Sequence, residues 1–130
     1  MKKMFLSLGV TGVIIIGTFL LVRTPQKTTL TTTSSTNISI DQGKQIIAIM
    51  VKGGYTPRET VATANKPTTL RLTTNGTFDC SSAVRIPQLS YQANLGANGT
   101  TEVQIPPQQP GTELRGVCAM GMYHFTLSFK

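Results

Sequence analysis

The stretch CAMGMYHFTLSF, residues 118–129, decides how this chain is read. It sets a sulfur on every second residue, at Cys118, Met120 and Met122, and then continues into aromatic and aliphatic residues at the same spacing. On an extended strand, residues i, i+2 and i+4 face one way. Cys118, Met120, Met122 and His124 then share one side, and Tyr123, Phe125, Leu127 and Phe129 form a core-facing row on the other. Ala119 and Gly121 are small enough to let neighbouring backbone come close. This alternation predicts a ribbon at the edge of a β-domain that separates a chemical row from a packing row.

Working outward, the rest of the domain breaks into short apolar runs divided by turn residues. Residues 44–51, KQIIAIMV, suit a strand buried on both faces. Residues 53–57, GGYTP, end it. Residues 59–64 read as a short strand with Val61 inward, and Asn65-Lys66-Pro67 as a turn. Residues 68–74 alternate, with Leu70 and Leu72 to one side. Residues 101–105 give a strand through Val103 and Ile105, and PPQQPG at 106–111 forbids regular pairing. Residues 113–118 and 122–129 are the expected last two strands. Residues 80–99 fit strand, loop or short helix equally. This spacing of short strands predicts an all-β domain, a Greek-key sandwich or barrel. Three Asn-x-Ser/Thr sequons begin at Asn37, Asn75 and Asn98. Asn75-Gly76 and Asn98-Gly99 already read as turn dipeptides.

Upstream the composition changes. Residues 4–22, MFLSLGVTGVIIIGTFLLV, carry no charge; as a helix they would span about 29 Å at 1.5 Å per residue, close to the hydrocarbon thickness of a bilayer. Their length and the lack of an A-x-A-like cleavage site favour an uncleaved single-pass anchor over a signal peptide. Lys2 and Lys3 before the run balance Arg23 and Lys27 after it, so the positive-inside comparison assigns no side. Residues 24–39, TPQKTTLTTTSSTNIS, have almost nothing to bury and read as a flexible tether. The expected organisation is a basic start at 1–3, an anchor at 4–22, a linker at 23–39 and a domain at 40–130.

The chain carries a formal charge of +7, with only 13% of its residues charged. Once the four cations flanking the apolar run are set aside, eight Lys/Arg face five Asp/Glu, with no basic cluster or stripe. That excludes a nucleic-acid footprint. No Ser-His-Asp set, paired carboxylates or phosphate loop stands out, so no enzyme is expected.

The remaining chemistry is sulfur. Cys80 is the second of two cysteines, and it can approach Cys118 where strands near 80 and 118 are neighbours. Thiolates and thioethers are soft donors, which select Cu(I), or Ag(I) by the same logic, over hard cations. Thioethers are neutral, so Met120 and Met122 hold an ion less tightly than the thiolates. Blander readings compete. Alternate methionines serve as core filler. Two cysteines in an extracytoplasmic domain form a Cys80–Cys118 disulfide, giving a stapled structural or binding domain. A structural zinc site wants four Cys/His ligands. A blue-copper redox site wants two histidines, and His124 is the only one.

In these residues the sequence resembles the membrane-anchored, cupredoxin-fold Cu(I) chaperones of the CupA type, and the similar domain at the amino end of some bacterial copper-exporting P-type ATPases. GGYTP at 53–57, Cys80, Pro110-Gly111 and the C-x-M-x-M of Cys118, Met120 and Met122 occur in the family's order. The resemblance implies a cupredoxin-like Greek-key sandwich and a cluster of one or two Cu(I) ions. Cys80 and Cys118 would be the tight thiolates, and Met120 and Met122 the weaker thioether ligands. It implies copper buffering at the plasma membrane and delivery to the exporter, with the domain on the cytoplasmic side, where thiols stay reduced. Val117 stands where the family commonly has an aromatic residue, and His124-Phe125 where it tends to Arg-Gly. His124 reads as a solvated surface residue, with a further ligand or pH-sensitive gate as the alternative.

Overall fold

A computed structural model describes residues 36–130. The expected anchor at 4–22 lies outside the described residues, as does most of the linker. Among the described residues no helix is long and apolar enough to cross a membrane.

The fold is an all-β sandwich of two five-stranded sheets. The first has the order β1 (Ile38–Asp41), β2 (Lys44–Val51), β5 (Thr68–Asn75), β8 (Asn98–Ile105), with the short β3 (Tyr55–Thr56) on the far end of β2. The second runs β4 (Glu59–Ala62), β10 (His124–Phe129), β9 (Glu113–Cys118), β6 (Ala83–Ile86), β7 (Tyr91–Asn94). The chain crosses between sheets repeatedly, and two adjacent pairs, β2 with β5 and β10 with β4, are parallel. One-turn 3-10 segments, Cys80–Ser82 and Pro87–Leu89, flank β6.

Alternation builds the core. Ile47, Ile49 and Val51 point in from β2, Leu70 and Leu72 from β5, Val103 and Ile105 from β8. Facing them are Val84 and Ile86, Leu114, and the row Phe125, Leu127, Phe129. Each of these large side chains contributes about 1.5–3 kcal/mol relative to exposure. Polar groups inside the sandwich are matched. Gln45 is 1% exposed; its side-chain amide donates to the Thr63 carbonyl and the Thr68 hydroxyl at 3.2 and 3.1 Å, and its carbonyl accepts from the Thr63 amide at 2.8 Å. Among the described residues every buried side-chain nitrogen or oxygen has a partner.

Several expectations need correcting. β2 is buried on one face only, with Ala48 and Met50 exposed, because its outer side has no covering layer. Val61 points outward, and Thr60 and Ala62 point in; the pairing of β4 with β10 sets that parity. β1 takes in residues 38 and 39, which read as linker; their register on β2, Ile38 opposite Ile47 and Ser39 opposite Ile46, supplies what their composition does not. The ambiguous stretch 80–99 is a mixture of two 3-10 turns, two short strands and the first residues of β8.

The ribbon at 118–129 changes most. It is a hairpin, not one strand. β9 ends at Cys118, residues 119–122 turn, and β10 begins at His124. Gly121 has φ +72°, a left-handed conformation that glycine adopts without cost. The turn resets the alternation. Cys118 is buried on the same inner face as Phe125, and His124, opposite Val117, lies on the outer face. His124 is therefore not on the side of Cys118.

Candidate metal centre

Cys118 sits at the end of a central strand. Its neighbour β6 places Val84 opposite it, and the pairing continues past the strand through the Ala119 amide, which donates to the Ala83 carbonyl at 2.8 Å. The segment before β6 is the 3-10 turn that opens with Cys80. Strand pairing thus brings together two residues 38 positions apart, and their sulfurs lie 3.2 Å from each other. Both are free thiols.

The two cysteines differ in surroundings. Cys118 is fully buried, and Cys80 is half-buried. The turn after Cys118 folds back over its sulfur: the Tyr123 amide donates to Sγ at 3.4 Å, while the Cys118 amide donates to the Tyr123 carbonyl at 3.0 Å and the Gly121 amide to the Cys118 carbonyl at 2.9 Å. Burial pushes the Cys118 thiol up, but the amides of Tyr123, Met120 and Met122 and the Cys80 S–H outweigh it and hold the thiol below its ordinary value. Cys80 moves the other way: its hydrogen bond to Cys118 is the largest cause, followed by burial and the charges of Cys118 and Asp79. The pair therefore loses its first proton readily, with the thiolate on Cys118 and Cys80 donating to it, and its second reluctantly.

Met120 and Met122, on the turn itself, are 74% and 66% exposed. Filler in a core would be buried, so the filler reading fails. Phe78, two residues before Cys80, is 85% exposed.

GGYTP at 53–57, which reads in sequence as a strand breaker, touches both sulfur-bearing loops. A Cβ on Gly54 would lie 3.3 Å from the Tyr123 ring, so this glycine lets that ring lie against the backbone. The Tyr55 ring meets Phe125 edge-on with centroids 5.0 Å apart, and its hydroxyl donates to the Ser81 carbonyl at 3.0 Å. Burial, then the charges of Cys118, Cys80 and Asp79, raise the Tyr55 hydroxyl far above its usual range, so it remains a neutral donor. Asp79 caps the Cys80 turn, accepting from the Ser81 hydroxyl and from the Ser81 amide. The Ser81 hydroxyl and the amides of Gly53 and Ser81 hold the Asp79 carboxyl below the usual carboxylate range. Neither Tyr55 nor Asp79 was singled out from sequence. The signal for Asp79 was present, in Asp-x-Ser at the start of a turn.

Among the described residues no three His, Cys, Asp or Glu side chains gather around one point. A zinc site of the usual kind is therefore not assembled there, and His124 stands apart from the thiols. What does come together is the pair of thiols, with two exposed methionines on the adjoining turn; sulfur donors of these kinds suit a soft monovalent ion.

Sandwich and sulfur site together define a cupredoxin-type domain built without the histidines of a blue-copper centre. The sequence matches the cupredoxin-like domain family over residues 12–127, and the chain belongs to that family. The domain resembles the metal binding domain of the Streptococcus pneumoniae D39 Cu(I)-exporting P-type ATPase CopA, whose crystal structure was solved with Cu(I). The TM-score is 0.64 and the identity 18%, over 72% of this chain and 92% of that one. That likeness is one of fold. It is also similar to a copper binding protein solved by NMR in the apo form, with TM-score 0.64 and 27% identity over 72% of this chain and 94% of that one. No curated protein sequence matches the chain. Of these two solved structures, one is a metal binding domain and the other a copper binding protein.

Proposed function

We propose that this protein holds Cu(I) between Cys80 and Cys118, with Met120 and Met122 as outer ligands, and delivers it to a copper-exporting P-type ATPase. The observation that carries the reading is the pair of free thiols 3.2 Å apart, flanked by two exposed thioethers. Cu(I) is the cargo. The thiols supply charge and tight binding; the methionines supply neutral, accessible donors that an incoming ligand reaches first. The path out is then graded: buried Cys118, half-buried Cys80, exposed methionines. Similarity to a copper binding protein supports the metal, and similarity in fold to a domain of an exporting ATPase supports the choice of partner.

In the same proposal, residues 4–22 anchor the protein in the plasma membrane in a single pass, the residues between the anchor and β1 are a tether, and the domain from Ile38 onward carries the metal site on the cytoplasmic side. A reducing compartment keeps the two thiols available to a metal, which suits that side.

The test is a Cu(I) competition titration of the reduced full chain in detergent, against a colorimetric chelator. One or two ions per chain are expected, and the Cys80→Ser/Cys118→Ser double variant should bind none of them tightly. Unchanged binding in that variant would refute the site. A free-thiol count on protein taken directly from cells should find two; a count of zero would restore the disulfide reading.

A further inference from the structure

The two thiols are held in place by different means. Cys118 belongs to β9, and backbone hydrogen bonds of sheet and turn fix it. Cys80 belongs to a single 3-10 turn of three residues, and one turn has little cooperative stability of its own. Something must keep that turn against the sandwich.

We propose that Asp79 is the positioning residue of the sulfur pair: its carboxylate ties the turn that carries Cys80 to the Gly53 loop, so that the Cys80 sulfur meets Cys118 before any metal arrives. The two carboxylate oxygens divide the work. Oδ1 accepts from the Ser81 amide at 2.9 Å and from the Ser81 hydroxyl, closing the turn. Oδ2 accepts from the Gly53 amide at 2.9 Å, across 26 positions of sequence. That second bond leaves the turn entirely and reaches the loop after β2. The neighbours brace the same junction: the Thr77 hydroxyl donates to the Val51 carbonyl, and the Tyr55 hydroxyl donates to the Ser81 carbonyl from below. Ser81 is fully buried between Asp79 and Tyr55. Those two partners hold Ser81, the residue next to Cys80 in the turn. Asp79 is well suited to this because an ionised acceptor makes stronger bonds to amides than a neutral one.

The thiol-positioning role stands on these contacts alone; its use in Cu(I) capture rests on the function proposed above. The test therefore has a readout that contains no copper. Equilibrating the reduced chain with glutathione and its disulfide measures the effective concentration of the two thiols for each other. Cys80 and Cys118 lose two hydrogens to form one S–S bond, and one glutathione disulfide is reduced to two thiols. Asp79→Ala removes both functions of the carboxylate and should lower the effective concentration about tenfold, a fold-change set by the loss of charge-assisted bonds. Asp79→Asn keeps an acceptor for Ser81 but places an NH2 donor where the Gly53 amide needs an acceptor, and should fall between Asp79→Ala and the wild type. The same order is expected in Cu(I) affinity. A merely structural role would lower the unfolding midpoint and leave the thiol equilibrium unchanged. Equal effective concentrations in all three proteins would overturn the proposal. A graded thiol series in a chain that fails to bind Cu(I) would uphold the positioning role and remove the copper reading.

Discussion

The two cysteines are 3.2 Å apart at the sulfurs, yet they belong to regions built on different principles. Cys118 is an extension of the apolar sandwich. It is buried, its strand is central, and Phe125, on the same inner face, is among the largest fully buried side chains. Cys80 rides on a half-exposed turn held by Asp79, Ser81 and Tyr55, a polar assembly at the end of β2. Such a division suits the proposed role of holding and releasing an ion. One ligand is as rigid as the core. The other depends on a few hydrogen bonds that are individually worth about 1 kcal/mol, so its position can be altered without unfolding the domain.

The sharpest way to break this contrast is through the core. Phe125→Ala should cost about 3–5 kcal/mol in denaturant unfolding, as removal of a buried aromatic generally does, and should weaken Cu(I) binding as well, since Tyr55 loses its ring partner. A stability loss with no loss of affinity would show that Cys118 is not rooted in the sandwich.

Proton competition separates the two thiols next. In the proposed site, Cu(I) displaces the protons of both cysteines. The first leaves below the ordinary thiol value, through Cys118, and the second above it, through Cys80. Apparent affinity should therefore rise about a hundredfold per pH unit in acid, the consequence of two protons at about 1.4 kcal/mol per unit each. The rise should fall to about tenfold per unit between the two steps. A single break in a plot of log affinity against pH would mean the thiols titrate alike.

Gly116 tests how closely the strand under Cys118 is packed. It sits opposite Phe125, and a Cβ there would overlap the Phe125 ring. Gly116→Ala should cost about 1–3 kcal/mol by overpacking, read from the thermal midpoint. The methionines test the exposed end. Met120→Leu/Met122→Leu should leave the melting curve unchanged, because both side chains are already in solvent. It should also lower Cu(I) affinity about tenfold, or about 1.4 kcal/mol, in chelator competition. The smallest effect is on the Cys80 side. Tyr55→Phe deletes one hydroxyl and leaves the Ser81 carbonyl unpaired; about 1 kcal/mol of stability should be lost, with a measurable fall in affinity.

Much of this architecture was legible before any coordinates. Leu70, Leu72, Val103 and Ile105 face inward as their alternation indicates, because a strand with one wet face has only one way to bury its apolar set. In sequence the approach of Cys80 to Cys118 was conditional on neighbouring strands; β6 does pair with β9, although Cys80 itself lies on the 3-10 turn before β6. The hairpin turn was hidden for a physical reason. Ala-Met-Gly-Met at 119–122 has the period of a strand, and only the left-handed backbone at Gly121 breaks it. Composition hid β1, whose Ser39 lies inside a Thr/Ser-rich stretch and is ordered by pairing with Ile46. Val61 faces outward because the pairing of β4 with β10 outweighs its own apolar character. The function of Gly53, Gly54 and Tyr55 was not legible at all. Their contacts reach across more than 25 positions to Asp79 and Ser81 and farther still to Tyr123, and local sequence carries no record of such a partner.

The most direct measurement is X-ray absorption at the copper edge on the reduced full chain loaded anaerobically with Cu(I). The account predicts a first shell made only of sulfur, losing its thioether contribution in Met120→Leu/Met122→Leu and collapsing in Cys80→Ser/Cys118→Ser. A shell containing imidazole nitrogen, or a spectrum indifferent to the two cysteines, would contradict it.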